Sequence, residues 1–225
     1  MANILTGHSF YSKTKREKRV FFAKLFLISI GVIVILGLLS YFTHFYFLGI
    51  LGFSIYLTLL APFIDVPGLQ KTGGLVYYSL LFLGEKPKNN KISIHGGTLF
   101  DYLFVLHFNE TGRQRTQFIF QQFLIGLLHL IEELENQNLH IEKISGTSYF
   151  LNEKTASRIG FTKTETNGMQ QLILAFNYFN LMFTQSLGKG KLSFPKLSET
   201  QSFEASPNIL ISKKKDIEIL LKKIS

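Results

Sequence analysis

The chain of 225 residues contains no cysteine and no tryptophan, and only 17% of its residues are charged. Without cysteine it cannot form a disulfide, use a thiol nucleophile, or hold an iron–sulfur cluster or a cysteine zinc site. The small charged fraction, together with 46% hydrophobic residues, excludes a disordered or collagen-like chain. A mean hydropathy of +0.20 is high for an ordinary soluble domain and indicates a membrane protein.

The apolar residues are concentrated between residues 25 and 64, where His44 is the only ionisable side chain other than tyrosine. The segment divides into residues 25–42 and 45–63, each close to the roughly 20 residues that a bilayer-crossing helix needs. Aromatic residues around His44 are typical of a membrane–water boundary. The pattern predicts two antiparallel transmembrane helices; a buried helical hairpin of a soluble protein is the alternative.

The charges beside these helices predict the orientation. Basic residues at both ends of the hairpin are Lys13, Lys15, Arg16, Lys18, Arg19 and Lys24 before it and Lys71, Lys86, Lys88 and Lys91 after it. Because cytoplasmic flanks carry an excess of Lys and Arg, we expect both termini in the cytoplasm and the chain in a bacterial inner membrane. A basic cluster beside a span contacts anionic lipid, so no nucleic-acid partner is expected.

Residues 65–90 are predicted to form an interfacial helix and a linker. The apolar stretch 75–83 is too short to span a bilayer and is interpreted as an interfacial or re-entrant helix, or as a core helix of the following domain. Pro62, Pro67 and Gly68 are expected to end the second span. Residues 86–90 are polar and rich in turn formers.

Residues 91–195 have the pattern of an α/β domain. The predicted elements are strands 91–95 and 99–108 joined at Gly96 and Gly97, a loop at 110–115, a helix at 116–134, a strand at 139–145, a short helix at 152–159 and a strand at 161–166. The aromatic segment 170–187 begins like a strand and is interpreted as core or as a surface packed on the hairpin. Residues 188–191 read as a basic turn.

Residues 196–225 are predicted to form a polar segment followed by a basic amphipathic tail. The tail, residues 217–224 with the lysines before it, suits an anionic membrane surface. A plain solvated helix is the alternative.

Part of the domain resembles the GNAT-type N-acetyltransferases. The resemblance covers about residues 99–166 and rests on residues 104–112, the long helix, and residues 140–161, in which the short helix closes on Gly160 and Phe161. It implies a mixed-sheet acyltransferase-like domain, and with the hairpin predicted from the apolar segment the fold class is α/β: an N-terminal transmembrane helical hairpin followed by that domain.

The resemblance also implies an acyl-CoA donor, whose pyrophosphate is bound by backbone N–H groups where a strand leads into the long helix. The residues that match this role are Thr111, Gly112, Arg113, Arg115 and Thr116, with Asn152 at the short helix. Gly112 is the only small residue in the loop. Two exposed arginines in a polar loop are the alternative interpretation.

Family members commonly protonate the leaving thiolate with a tyrosine at the position that Ala156 occupies here, and Tyr149 is the nearest tyrosine in the segment. Asp101 or Glu110 is the candidate base, since apolar strands raise the pKa of a carboxylate beside them; an Asp on an exposed strand face is the alternative. The histidine spacing gives no metal site.

Two functional hypotheses follow. One is a membrane-anchored acyltransferase that acts on an amine of a lipid or of a membrane-bound acceptor. The other is a non-enzymatic subunit or scaffold that binds other membrane proteins through residues 172–183. A pocket at residues 111–117 between splayed strands would favour the first, because pantetheine needs that space.

Overall fold

A computed structural model describes residues 4–136, 141–148, 151–166 and 168–224. Two long helices precede a six-stranded mixed sheet that is covered by helices, so the predicted α/β class is confirmed. The helices are α1 (Lys15–Thr43), α2 (Tyr46–Thr72), α3 (Leu99–Val105), α4 (Gly112–Asn136), α5 (Glu153–Arg158), α6 (Gly168–Phe176), α7 (Tyr178–Lys189), α8 (Pro207–Ser212) and α9 (Lys214–Ile224). The strands are β1 (Leu75–Ser79), β2 (Phe82–Glu85), β3 (Lys91–Gly96), β4 (Lys143–Ser148), β5 (Thr162–Thr164) and β6 (Gln201–Ala205).

Helices α1 and α2 form the predicted hairpin. Helix α1 begins at a capping box between Thr14 and Glu17 and ends at His44, whose φ of 53° reverses the chain. Both helices are long and apolar enough to cross a membrane, and no residue of either apolar window is buried. The hairpin is therefore not the hidden core of this domain.

Small residues let the two helices approach closely. A Cβ on Gly49 would lie 2.1 Å from the Ser40 hydroxyl, and one on Gly52 would lie 2.8 Å from Leu36. The Ser29 and Tyr56 hydroxyls are hydrogen-bonded across the pair at 2.5 Å. Close approach of this kind is how helices associate where water does not drive the packing.

The prediction that proline ends the second helix is wrong, since α2 continues through Pro62 and Pro67 to Thr72. Pro62 has no N–H, so the Thr58 carbonyl loses its usual helical donor four residues on. The side chain of Asn180 in α7 replaces that donor, with Nδ2 lying 2.6 Å from the Thr58 oxygen. A neighbouring helix therefore repairs the break that Pro62 makes.

Replacing Asn180 by alanine should lower the free energy of unfolding by about 1–3 kcal/mol, because the Thr58 carbonyl is left unpaired. In a Pro62→Ala background the new N–H of residue 62 bonds to Thr58, so the same Asn180→Ala change should have a much smaller effect. Unfolding of all four proteins in detergent, followed by circular dichroism, gives the coupling between the two positions. Equal losses in the two backgrounds would contradict this account.

The strand order of the sheet is β1-β2-β3-β4-β6-β5. Only the central pair, β3 and β4, is parallel among the described pairings, and the chain crosses between them through α3 and α4. Helix α4 packs on one face of the sheet, where Leu124, Leu127 and Leu130 are fully buried. The predicted long helix is thus confirmed.

Residues 75–83, predicted as a helix, form the antiparallel hairpin of β1 and β2. Both faces of this hairpin are covered: Tyr78 packs in the α4 cluster, and Tyr77 packs with Phe10 and Phe100 on the other side. A strand buried on both faces reads as a continuous apolar run. Such a run cannot be distinguished from a short helix by periodicity.

Residues 99–108, predicted as a strand, contain helix α3. A capping box between Thr98 and Asp101 starts the helix, and this local signal outweighs the aromatic and aliphatic composition. The segment 170–187, which began like a strand in the sequence, is also helical and forms parts of α6 and α7.

The remaining predicted elements of the domain are found close to their expected places. Helix α5 has Asn152 as its N-cap, and β5 follows Gly160 as predicted. Strand β4 lies slightly later than predicted, and residues 139 and 140 of that prediction are outside the described residues.

The sheet extends beyond residues 91–195 at both ends, because β1 and β2 precede this range and β6 follows it. Helix α9, the predicted tail, buries Ile217 in the main core against α4. The tail is therefore part of the domain and not a detached solvated helix.

Candidate functional site

The two central strands part at one end. Pairing of β3 with β4 runs as far as Ile94 and Gly146. Beyond this point Gly96 pairs with β2 and Thr147 pairs with β6, so each strand continues alongside its outer neighbour. A cavity of about 30 Å³ lies where they separate, lined by His95, Thr147 and apolar side chains.

A larger cleft of about 870 Å³ opens among α4, α5, α7 and α9. Its polar lining includes Arg113 at the start of α4, Lys189 and Lys191 around the end of α7, and Lys223 in α9. None of the described residues that line the cleft is acidic, and none of these four cations belongs to a described ion pair. The cleft therefore favours an anionic ligand.

The cleft and the cavity meet at Leu151, which lines both. Leu151 precedes α5, and Thr155 of that helix also lines the cleft. The rest of the cleft wall is uncharged and combines apolar side chains, such as Ile119 and Phe120 of α4, with Thr and Gln side chains of α4 and α7. A ligand could thus extend from the cations, along an uncharged wall, to the parted strands.

The first turn of α4 is already capped. The Gln114 side chain accepts from the Thr111 N–H at 2.9 Å, and Thr111 Oγ1 accepts from the Gln114 N–H at 3.3 Å. Gly112 lies against the end of α7, where an added Cβ would be 1.9 Å from the Lys189 carbonyl oxygen. The backbone here is therefore less open to phosphate than the sequence implied.

The two arginines of the loop have different environments. Arg113 is exposed and lines the cleft, whereas Arg115 is buried and does not line it. Arg115 Nη1 donates to the Leu187 carbonyl at 2.5 Å, and its guanidinium lies 5.7 Å from the Phe108 ring centroid. Arg115 therefore holds the last turn of α7, where the helix dipole favours a cation. It is not in position to bind phosphate in the cleft.

The other predicted ligand-binding residues divide similarly. Thr116 lines the cleft, with its hydroxyl donating to the Gly112 carbonyl at 2.7 Å. Thr111 and Asn152 act as helix caps, Asn152 by accepting from the Thr155 N–H at 2.9 Å. They position the helices that border the cleft.

Asp101 is completely buried and lies away from the cleft. It is therefore neither an exposed strand residue nor a base at the cleft. It accepts hydrogen bonds from the Tyr77 hydroxyl at 2.5 Å and the Thr98 N–H at 2.7 Å, and His8 Nε2 lies 3.3 Å from it. Burial and then the Asp101 charge raise the pKa of Tyr77 far above its usual range, so this hydroxyl stays a donor. The group ties the N-terminal segment to β1 and α3.

Glu110, the other candidate base, does not line the cleft either. Glu110 lies in the turn after α3, where its N–H donates to the His107 carbonyl, and it lines neither cavity. Tyr149 lies outside the described residues.

A histidine–carboxylate pair stands at the parted strands and was missed from the sequence. His95 lines the small cavity, and its Nε2 lies 2.8 Å from Glu85 Oε1. A carboxylate only accepts hydrogen bonds, so Nε2 is the donor in this pair, and in a neutral imidazole Nδ1 is then the nitrogen that can accept a proton. Both side chains are about half exposed, which leaves the imidazole accessible.

The sequence contains only weak signals for His95, for Glu85 and for the lysines of the cleft. His95 and Glu85 are ten positions apart on two strands whose pairing had not been predicted. The lysines of the cleft come from segments that the sequence separates widely, and residues 188–191 were interpreted only as a turn.

Comparison with known proteins adds no relative: no protein-family model, curated protein or solved structure matches the chain.

Proposed function

We propose that this chain is a membrane-anchored acyltransferase that transfers an acyl group from acyl-CoA to an amine on a lipid or membrane-bound acceptor. One observation carries the proposal: a cleft with four cations and no described acidic lining joins, at Leu151, the gap between two parting parallel strands. Such a shape suits a long ligand with phosphates at one end.

Each part of the cleft matches a part of acyl-CoA. Arg113, Lys189, Lys191 and Lys223 would pair with phosphates through charge-assisted hydrogen bonds. Beyond Ile94 and Gly146 the strands no longer pair with each other, and backbone groups at such a gap suit an extended chain with amides, as in strand addition. The thioester would then lie beside His95.

The hairpin would supply the membrane anchor. Both helices are apolar along a bilayer-sized window, and outward residues such as Leu27 and Ile50 are each 66% exposed. The basic residues around the start of α1 and around the end of α2 lie at the same end of the hairpin, which favours a cytoplasmic domain with both termini on that side. Cytosolic acyl-CoA would then be held next to a bilayer acceptor.

The test is a calorimetric titration of the purified full chain in detergent with acetyl-CoA and with a long-chain acyl-CoA. The variant Arg113→Gln, Lys189→Gln, Lys191→Gln should bind at least about 100-fold more weakly, because three charge-assisted contacts are lost. A matched variant, Lys86→Gln, Lys88→Gln, Lys91→Gln, removes the same charge away from the cleft and should bind nearly normally. Absence of saturable binding, or equal binding by both variants, would overturn the proposal.

A specific observation favours the second candidate, a non-enzymatic subunit of a membrane assembly. The gap between the strands is small, and the first turn of α4 is covered by the end of α7. If neither donor binds in the titration, the cleft has no donor role and the scaffold hypothesis takes its place.

A further inference from the structure

Helices α6 and α7 have the composition of a membrane-embedded segment. From Gly168 to Leu187 the chain contains no Asp, Glu, Lys, Arg or His. Glu165 precedes this stretch, and Lys189 and Lys191 follow it. An uncharged stretch that ends in lysines is typical of chain that enters the apolar part of a bilayer and returns to the headgroups.

The apolar side chains of α6 are not used in the core of the domain. No residue of α6 is buried, and all but one of its large apolar side chains, the partly exposed Leu174, are between 53% and 67% exposed: Met169, Leu172, Ile173 and Phe176. These fractions match those of outward residues of α1, such as Leu27 at 66%. A contiguous apolar surface of this kind indicates a partner or a membrane.

The contact between α7 and α2 fixes the depth of this segment. Asn180 donates to the Thr58 carbonyl. Thr58 lies seven residues before Asp65, the first charged residue after the apolar part of α2. At about 1.5 Å per residue, the contact is about 10 Å from the level of Asp65 toward the middle of the hairpin.

We propose that α6 and α7 enter the domain-side leaflet as a re-entrant pair, with lipid acyl chains covering the exposed face of α6. The inference rests on the membrane placement of the hairpin proposed above and adds a third embedded element to it. Helix α6 contacts α7, and α7 packs on α2 with Asn180 bonded to Thr58. In the proposed placement acyl chains surround α2, and α6, held near α2 by α7, presents its apolar face to the same chains.

The dimensions agree with partial insertion. Helices α6 and α7 contain 9 and 12 residues, which give lengths of about 14 and 18 Å, so neither can cross a core of about 30 Å. The helices meet at Asn177, whose Nδ2 donates to the Ile173 carbonyl at 3.0 Å. The Asn177 N–H donates to the same carbonyl, so the side-chain bond gives the Asn177 amide a partner within the chain, as an apolar environment requires.

The chain has no cysteine, so single labels can be placed directly. Leu172→Cys and Phe176→Cys, each carrying an environment-sensitive nitrobenzoxadiazole dye, would be reconstituted in vesicles of phosphatidylethanolamine and phosphatidylglycerol. Val34→Cys in α1 is the lipid control, and Asn208→Cys, exposed in α8, is the water control. Quenching is measured with nitroxide-labelled phosphatidylcholine and with aqueous iodide.

We expect the labels at positions 172 and 176 to behave like the label at 34, with blue-shifted emission that is quenched by the nitroxide lipid and not by iodide. Quenching by iodide, as at position 208, would overturn the proposal and leave the hairpin intact. Protection from both quenchers would also overturn it, because protein would then cover α6. Iodide quenching at position 34 as well would overturn the membrane placement of the hairpin.

Discussion

The variant His95→Asn is expected to lower kcat for acyl transfer by about 10²- to 10⁴-fold while the Kd for acyl-CoA changes little. In the proposed reaction the amine nitrogen attacks the thioester carbonyl, its proton passes to His95 Nδ1, and the carbon–sulfur bond breaks to release CoA as thiolate. The thiolate then takes up a proton. Asparagine has no basic nitrogen, so it cannot accept the proton of the amine.

The chain contributes no thiol of its own, so released CoA can be followed directly with a thiol reagent. The assay uses the full chain in mixed micelles, with phosphatidylethanolamine as the amine and acyl-CoA as the donor. Glu85→Gln should cause a smaller loss than His95→Asn, since it removes the group that orients the imidazole and not the base itself. Unchanged kcat in His95→Asn would show that another group takes the proton.

The sequence predicted best those elements whose pattern is contained within the element itself. Apolar residues at helical spacing identified α4 and a long uncharged stretch identified α1 and α2, because a single face or a single length decides these elements. The strands were harder. Strand β6, in a segment interpreted as polar, buries Phe203 and Ala205 only because β4 and β5 lie on either side of it. A one-dimensional pattern does not contain that information.

The candidate site shows the same limit. Arg113, Gly112 and Thr116 were found because they are close together in the sequence, and they do line the cleft. Arg115, two positions from Arg113, points instead under α7 and binds a carbonyl there. The lysines that complete the cleft come from α7, the turn after it and α9, and only the packing of α7 and α9 against α4 brings them together.

The cleft and the hairpin are connected through α7. Its Asn180 contacts α2, and its last residue, Lys189, lines the cleft about nine residues, or about 13 Å, further along the helix. If α7 enters the leaflet, the cations of the cleft lie near the headgroups. An acceptor amine on a lipid could then reach the cleft from the bilayer.

The variant Asp101→Ala is expected to lower the free energy of unfolding by about 3–5 kcal/mol, which makes it the most destabilising change considered for this domain. Asp101 is completely buried and accepts from Tyr77 and from both donors of Thr98. Alanine leaves the Tyr77 hydroxyl with only the longer contact to the Tyr11 hydroxyl at 3.4 Å and removes the acceptor of both Thr98 donors, at about 1–3 kcal/mol for each orphaned group. The contact with His8 is also lost.

The matched control is Asp216→Ala, which removes an exposed carboxylate paired with Lys213 and should change stability by less than about 1 kcal/mol. Thermal unfolding of both variants in detergent measures the difference. Because His8 joins the N-terminal segment to Asp101, trypsin should also cleave Asp101→Ala sooner at Lys13 or Lys15, before the rest of the domain is digested. Equal stability of the two variants would show that the surrounding aromatic residues alone hold this segment, and that the buried carboxylate contributes nothing to its attachment.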